Sequence, residues 1–242
     1  GNIFKELKDY QKAKSCYEKV IEIDPNYADA HYNFGILLKE LGKNKKAKSC
    51  YEKAIAIKPD YADAHNNLGL IYADLGENEK AKSCYEKTIA INLNNAVAHN
   101  NLGNIFKELG ENQKAKKCYE KVIEINPNYA DAHYNFGILL KELGENQKAK
   151  SCYEKAIAIN PNYADAHNNL GLIYADLGEN QKSIGCYEKA IAINPNNAVA
   201  HNNLGNIFKN LGENQKAKSC YEKVITINPN YADAHYNFGI LL

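Results

Sequence analysis

The amino-acid sequence predicts an all-α fold, a solenoid of antiparallel helix-turn-helix units. Three observations predict it: a 34-residue self-similarity along the chain, two stretches of helical periodicity inside each period, and a glycine and a proline that punctuate them. The unit 28–61 reads ADAHYNFGILLKELGKNKKAKSCYEKAIAIKPDY, and new units open at Ala62, Ala96, Ala130, Ala164, Ala198 and Ala232. The chain therefore reads as a single array. A partial unit 1–27 precedes complete units 28–61, 62–95, 96–129, 130–163, 164–197 and 198–231, and a partial unit 232–242 follows. A longer period overlies this one. The openings ADAHYNFG, ADAHNNLG and AVAHNNLG rotate with a 102-residue cycle, so GNIFKEL at 1–7 reappears at 103–109, and as GNIFKNL at 205–211.

Each unit is read in the same order. The first helix is expected from about Tyr27 to Leu41, with Ala30, Phe34, Leu37, Leu38 and Leu41 at helical spacing. Gly42 suits the left-handed residue that ends a helix, and Asn44 stands where an N-cap belongs. The second helix is expected to reach about Ile57 and to bury Ala47, Tyr51, Ala54, Ile55 and Ile57. Pro59 stops it, because proline cannot continue a helix without losing a hydrogen bond. So short a turn makes the two helices antiparallel. One hairpin cannot bury both of its faces, whereas stacked hairpins share a continuous core. Gly35 and Ala47 recur in every complete unit, except that Ser183 replaces the alanine once, and they permit close helix approach.

Local signals refine this. Asp29, Asp63, Asp131, Asp165 and Asp233 each lie three residues after Asn26, Asp60, Asn128, Asn162 or Asn230, the spacing of a capping box. They also put an acid in the first turn, where the helix macrodipole favours it. Recognition of a basic ligand is the other use of these acids. Val97 and Val199 break the pattern and give one unit in three an apolar lip. Ser183-Ile184-Gly185 replaces Ala-Lys-Ser, and a mid-helix glycine costs about 1 kcal/mol against alanine. The second helix at 181–193 is thus expected to be the softest of its kind.

The 34-residue period, the Leu/Phe-Gly pair of the first helix, the Ala…Tyr…Ala/Val series of the second and the closing proline resemble the tetratricopeptide repeat. That resemblance covers the whole chain, with two departures: His31 stands where a bulky residue is usual, and Asn44 where an aromatic is usual, Tyr10 excepted. It implies a right-handed superhelix whose first helices line a concave groove that holds an extended peptide or a partner's helix.

Composition excludes other classes. Lys+Arg number 30 against 29 Asp+Glu, a net charge of +1, which argues against the gathered basic surface that nucleic acid requires. No apolar run approaches the roughly 20 residues that span a bilayer, and no signal segment opens the chain at Gly1. Seven histidines, from His31 to His235, share one repeat position, and seven cysteines, from Cys16 to Cys220, share another. Zinc ligation or a Cys-His nucleophile is the functional use of such residues; a copied packing ladder is the structural one. Geometry favours packing, because equivalent residues in adjacent units stand two helix diameters apart, about 18–20 Å. A disulfide needs Cα atoms within about 7 Å. No cofactor, metal or catalytic residue is expected, and reduced cysteines fit a cytoplasmic location.

The candidate binding residues lie on the first helices. Asn33, Asn67, Asn101, Asn135, Asn169, Asn203 and Asn237 form a ladder off the apolar stripe, and side-chain amides can pair with a peptide backbone of any sequence. The ladder resembles the asparagines lining the repeat superhelix of O-linked N-acetylglucosamine transferases; asparagine is also common at this position throughout the tetratricopeptide family. Tyr32, Tyr134 and Tyr236, with Asn2, Asn104 and Asn206 alternating with aliphatic residues such as Ile36 and Leu70, vary by unit and face the groove on the family's geometry. Lys5, Lys39, Lys107, Lys141 and Lys209 would line its edge beside acids such as Glu6 and Glu40. Tetratricopeptide domains that hold chaperone C-termini use a two-carboxylate clamp of lysines, an arginine and asparagines. Only its asparagines find counterparts, such as Asn104 and Asn135. Tyr32, Asn66, Asp63 and Asp165 stand at its basic positions, and acids repel carboxylates.

The reading that follows is a non-catalytic scaffold for a protein or peptide ligand. Two alternatives stand beside it: a substrate-recruiting arm of a larger enzyme such as a protein O-glycosyltransferase, and a structural solenoid that associates head to tail through uncapped ends.

Overall fold

A computed structural model of the chain describes residues 9–241. Among the described residues there are fourteen helices and no strand. The second helices are α1 (Tyr10–Ile23), α3 (Asn44–Ile57), α5 (Asn78–Ile91), α7 (Asn112–Ile125), α9 (Asn146–Ile159), α11 (Asn180–Ile193) and α13 (Asn214–Ile227). The first helices are α2 (Ala28–Glu40), α4 (Ala62–Asp74), α6 (Ala96–Glu108), α8 (Ala130–Glu142), α10 (Ala164–Asp176), α12 (Ala198–Asn210) and α14 (Ala232–Ile240). They fall into two compact units, Gly1–Pro127 with α1–α7 and Asn128–Leu242 with α8–α14. Within each unit a first helix packs most broadly on the second helix that follows it, and less broadly on the one before.

One contact sets the spacing of every hairpin. Tyr51, Tyr85 and Tyr119 in the first unit and Tyr153, Tyr187 and Tyr221 in the second are among the largest fully buried side chains. Each ring lies against the glycine of its own first helix. A Cβ built on Gly35 would stand 2.5 Å from Tyr51 Cε1, and one on Gly137 2.6 Å from Tyr153 Cε1. No side chain fits there, so glycine is what lets the tyrosine fill the hairpin. The turn glycines serve otherwise: Gly42 takes φ +69°, and its counterparts keep that sign through Gly212 at +75°. Gly42 N–H donates to Lys39 O at 2.9 Å and Lys43 N–H to Leu38 O at 2.8 Å, the paired bonds that satisfy a helix's last carbonyls.

The helix starts differ from the sequence reading in two ways. Asn44 is the first helical residue of α3, and the cap is Lys43, with no side-chain cap bond. Glu77, Glu111, Glu145, Glu179 and Glu213 stand at the same place in the other units. The paired bonds that close the first helix run to residue 43, leaving it alone between the two helices. A glutamate there meets a lysine three residues on, as in Glu145–Lys148 and Glu213–Lys216, both at 2.5 Å. Displaced by one position, Asn78 has a buried Oδ1 without a partner.

The capping box is also not formed. Tyr27 caps α2 through its backbone alone, while Asn26 sits in the preceding turn, where its N–H donates to Asp24 Oδ1 at 3.0 Å. Among the first helices only α6 and α12 have side-chain caps: Asn95 accepts from Ala98 N–H at 2.9 Å and Asn197 from Ala200 N–H at 3.0 Å. These are the helices in which Val97 and Val199 replace the aspartate. A start therefore has either a first-turn aspartate favoured by the macrodipole or an asparagine cap.

Helix α11 runs unbroken through Gly185. Ser183 is buried, and its hydroxyl donates to Gly171 O at 2.9 Å. A Cβ on Gly185 would meet nothing within 4 Å. Gly185→Ala should therefore raise stability by about 1 kcal/mol, read as a higher denaturant midpoint at unchanged slope. A lower midpoint would contradict the open space at this position.

Candidate interaction site

The asparagine ladder is half-buried throughout, and most of its rungs are bonded to the preceding first helix. In the first unit Asn67 Nδ2 donates to Tyr32 Oη at 3.3 Å and Asn101 Nδ2 to Asn66 Oδ1 at 3.3 Å, while Asn33 Nδ2 donates to Asp29 O of its own helix at 2.8 Å. In the second, Asn169 donates to Tyr134 Oη at 3.4 Å, Asn203 to Asn168 Oδ1 at 3.1 Å and Asn237 to Asn206 Oδ1 at 3.4 Å. Asn135 is half-buried on α8. A carboxamide has two donor hydrogens and an acceptor oxygen, so a rung can tie two repeats together and still address a ligand. The tie joins residues 31 or 35 apart in sequence, so no local pattern announces it.

The other first-helix candidates divide. Tyr32 and Tyr134 are half-buried and Tyr236 is exposed. Asn104 and Asn206 turn their oxygens to the core, accepting from Tyr119 at 2.7 Å and Tyr221 at 2.8 Å. Where Ile36 or Ile138 replaces that asparagine, the hydroxyls of Tyr51 and Tyr153 are buried and make no hydrogen bond of normal geometry. Lys39, Lys107 and Lys141 are half-buried on their helices. Lys209, at the same repeat position, reaches the next first helix and donates to Asn237 Oδ1 at 2.7 Å. Asn2, Lys5 and Glu6 lie outside the described residues.

Each unit also gathers three tyrosines and two aspartates where two successive first helices meet the second helix between them. Tyr32 lies 4.8 Å from Tyr61 between ring centroids, tilted 39°, and 6.0 Å from Tyr51. Tyr134 repeats this with Tyr163 at 4.8 Å and Tyr153 at 6.0 Å. Burial, then the facing Asp29 carboxylate, pushes the Tyr61 hydroxyl well above the usual tyrosine range, with Asp63 adding to it. Burial, Asp131 and Asp165 do the same to Tyr163. All four carboxylates are on exposed residues.

The second-helix side carries the histidine and cysteine ladders. Histidine Nε2 lies within hydrogen-bond distance of a backbone carbonyl six residues earlier, as in His31 with Pro25 O at 2.9 Å and His99 with Leu93 O at 3.0 Å. The cysteines are free, and among the described residues no three metal-binding side chains gather. Burial pushes the Cys50, Cys84, Cys118, Cys152, Cys186 and Cys220 thiols from 9.0 up to about 11. They hold their protons at neutral pH, the state of a packing residue rather than a nucleophile.

Sequence reasoning missed the clefts on this side. One of about 400 Å³ is lined by Glu52, His65, Tyr72 and Cys84, and one of about 430 Å³ by Glu188, His201, Cys220 and Lys223. The signal was present, because the two ladders set aside as packing line these same clefts.

The thiol values carry a pH dependence. A folded-state value above the unfolded one means that the native chain holds the proton more tightly, so stability falls as pH rises between the two. The contribution is full below pH 9.0 and is lost toward about 11, with Tyr187 and Tyr221, pushed up by burial to about 12, following. Denaturation midpoints should hold level to pH 9.0 and fall steadily from there to about pH 10.5. A flat profile would contradict the burial of these thiols.

Antiparallel helix hairpins repeating every 34 residues, with glycine and tyrosine interlocked, define a helical repeat protein. Family models for the TPR repeat match residues 1–42, 35–76, 103–144, 139–178 and 171–212, and models for the tetratricopeptide repeat match 62–95 and 198–231. The chain belongs to the tetratricopeptide-repeat family. Among solved structures it is similar to YrrB, described as a TPR protein with an unusual peptide-binding site (27% identity, 76% of this chain, 95% of that one, TM-score 0.60). It is also similar to MamA (28% identity, 66% of this chain, 93% of that one, TM-score 0.59). A chain of the APC/C hetero-tetramer Cut9–Hcn1 shares the fold at 17% identity over 99% of this chain and 47% of that one, with TM-score 0.82. A search of curated proteins returned no match. Among the described residues no helix is long and apolar enough to cross a membrane.

Proposed function

We propose that this chain is a non-catalytic scaffold that binds an extended protein segment along its first helices, the concave side in this family. One observation carries the reading: every first helix presents a half-exposed carboxamide at the same repeat position, from Asn33 to Asn237. Such a row repeats its donors and acceptors in step with the fold and can pair with a peptide backbone whatever its side chains. The likeness to YrrB, whose description names a peptide-binding site, supports it.

The structure changes how this must be tested. Alanine at Asn101 and Asn169 also removes a bond between repeats, each worth about 0.5–1.5 kcal/mol. Affinity for a bound peptide should therefore be compared at a temperature where wild type and the triple variant Asn101→Ala, Asn135→Ala, Asn169→Ala are both fully folded. We expect at least a tenfold loss. Unchanged affinity in the folded variant would remove the ladder from the binding role.

A further inference from the structure

The first-helix surface is not uniform along its length. The three-unit cycle places the tyrosine–aspartate cluster once in each compact unit: Asp29, Tyr32, Tyr61 and Asp63 in the first, Asp131, Tyr134, Tyr163 and Asp165 in the second. In both, two rings 4.8 Å apart stand at a tilt, and both carboxylates act on the inner hydroxyl. No ion pair among the described residues involves any of these four aspartates. Beneath each cluster lies a fully buried tyrosine, Tyr51 or Tyr153. Aromatic faces bordered by carboxylates without cations attract an ammonium or guanidinium group, by the ring quadrupole and by direct charge.

The chain itself demonstrates the preference. In the first unit Lys58 places its ammonium over the Tyr61 ring, 4.9 Å from the centroid. In the second unit the corresponding residue is Asn160, which has no charge to offer Tyr163. The two clusters are otherwise the same in residues and geometry. The first is thus partly satisfied from within, and the second has exposed aspartates and, among the described residues, no cation over its ring.

We propose that the Asp131–Tyr134–Tyr163–Asp165 cluster is a subsite for a lysine or arginine side chain of the bound segment, and that Lys58 restrains its counterpart in the first unit. This rests on the groove reading above and names the chemistry of one position in it. A carboxylate-terminated or acidic segment is disfavoured at the same place, because it would meet two aspartates. The ladder contributes backbone bonds at every repeat, whereas the subsite contributes side-chain choice once in three repeats.

The test uses the whole chain and two short extended peptides that differ only in a central lysine or glutamine, followed by NMR shifts up to millimolar peptide at low salt. The lysine peptide should bind about three- to thirtyfold tighter, the range of a single partly desolvated cation–ring contact. It should move the Tyr134 and Tyr163 resonances, and arginine should substitute for lysine. Asn160→Lys supplies the first unit's own cation and should abolish the preference while leaving the glutamine peptide's affinity unchanged, and Asp165→Asn removes one of the two carboxylates and should reduce the preference. Lys58→Asn should bring the Tyr61 resonance into the lysine-dependent set. Equal binding of the two peptides would overturn the subsite and leave the groove reading standing. Binding of neither would overturn both. A lysine preference that survived Asn160→Lys combined with Asp165→Asn would place the cation elsewhere and overturn the assignment.

Discussion

Tyr153→Ala should destabilise the second unit by about 3–5 kcal/mol, the cost of removing a fully buried aromatic ring. The ring fills the space between α8 and α9, lies over Gly137 and packs near Tyr134 at 6.0 Å between centroids. Because each repeat is held by its neighbours, the loss should spread to the adjoining hairpin instead of remaining local. The hydroxyl is not the source of this effect. It makes no hydrogen bond of normal geometry, with only the Asn169 amide as a polar neighbour, so Tyr153→Phe should be near neutral. Tyr119→Phe should differ, since the Asn104 oxygen accepts from that hydroxyl at 2.7 Å, and a cost of about 1 kcal/mol is expected. Urea denaturation of the three variants checks the set, and equal losses for both phenylalanine substitutions would contradict it.

The second large effect comes from adding a methyl group. Gly137→Ala should cost about 1–3 kcal/mol despite the better helix propensity of alanine, because the new Cβ would lie 2.6 Å from Tyr153 Cε1 and 2.8 Å from Cδ1. The ring cannot withdraw, being enclosed on all sides. Glycine to alanine at position 185, in open space, should act with the opposite sign. The pair separates packing from propensity: if both substitutions stabilise, the glycine–tyrosine interlock is not what spaces the helices. A coupling between Gly137→Ala and Tyr153→Leu, with the double variant less damaged than the sum of the singles, would locate the clash in this contact.

What the sequence made legible was whatever recurs at helical spacing. Gly42, Pro59 and the apolar stripe through Leu37 and Tyr51 define the hairpin, since each acts on its own few neighbours. Starts were read one residue late or with the wrong partner for a physical reason. Asn44 looks like a cap in isolation, but the bonds from Gly42 and Lys43 back to Lys39 and Leu38 begin the next helix directly after Lys43. Asp29 looked like half of a capping box, yet it faces the Tyr61 hydroxyl more than thirty residues away. The ladder was legible as a row of equivalent residues, whereas its bonds from Asn67 to Tyr32 and from Asn203 to Asn168 depend on how repeats stack. The contrast between Lys58 and Asn160 was visible in the sequence and acquired meaning only when Tyr61 was placed under the lysine.

The central claim is that a partner segment lies along the first helices. Backbone chemical-shift mapping of the whole chain with a peptide selected for binding from a random library tests it most directly. The account predicts that perturbations concentrate around Asn67, Asn101, Tyr134 and Asn169 on α4, α6, α8 and α10. Perturbations confined to Glu52, His65, Cys84 and Cys220, which line the clefts on the second-helix side, would contradict it.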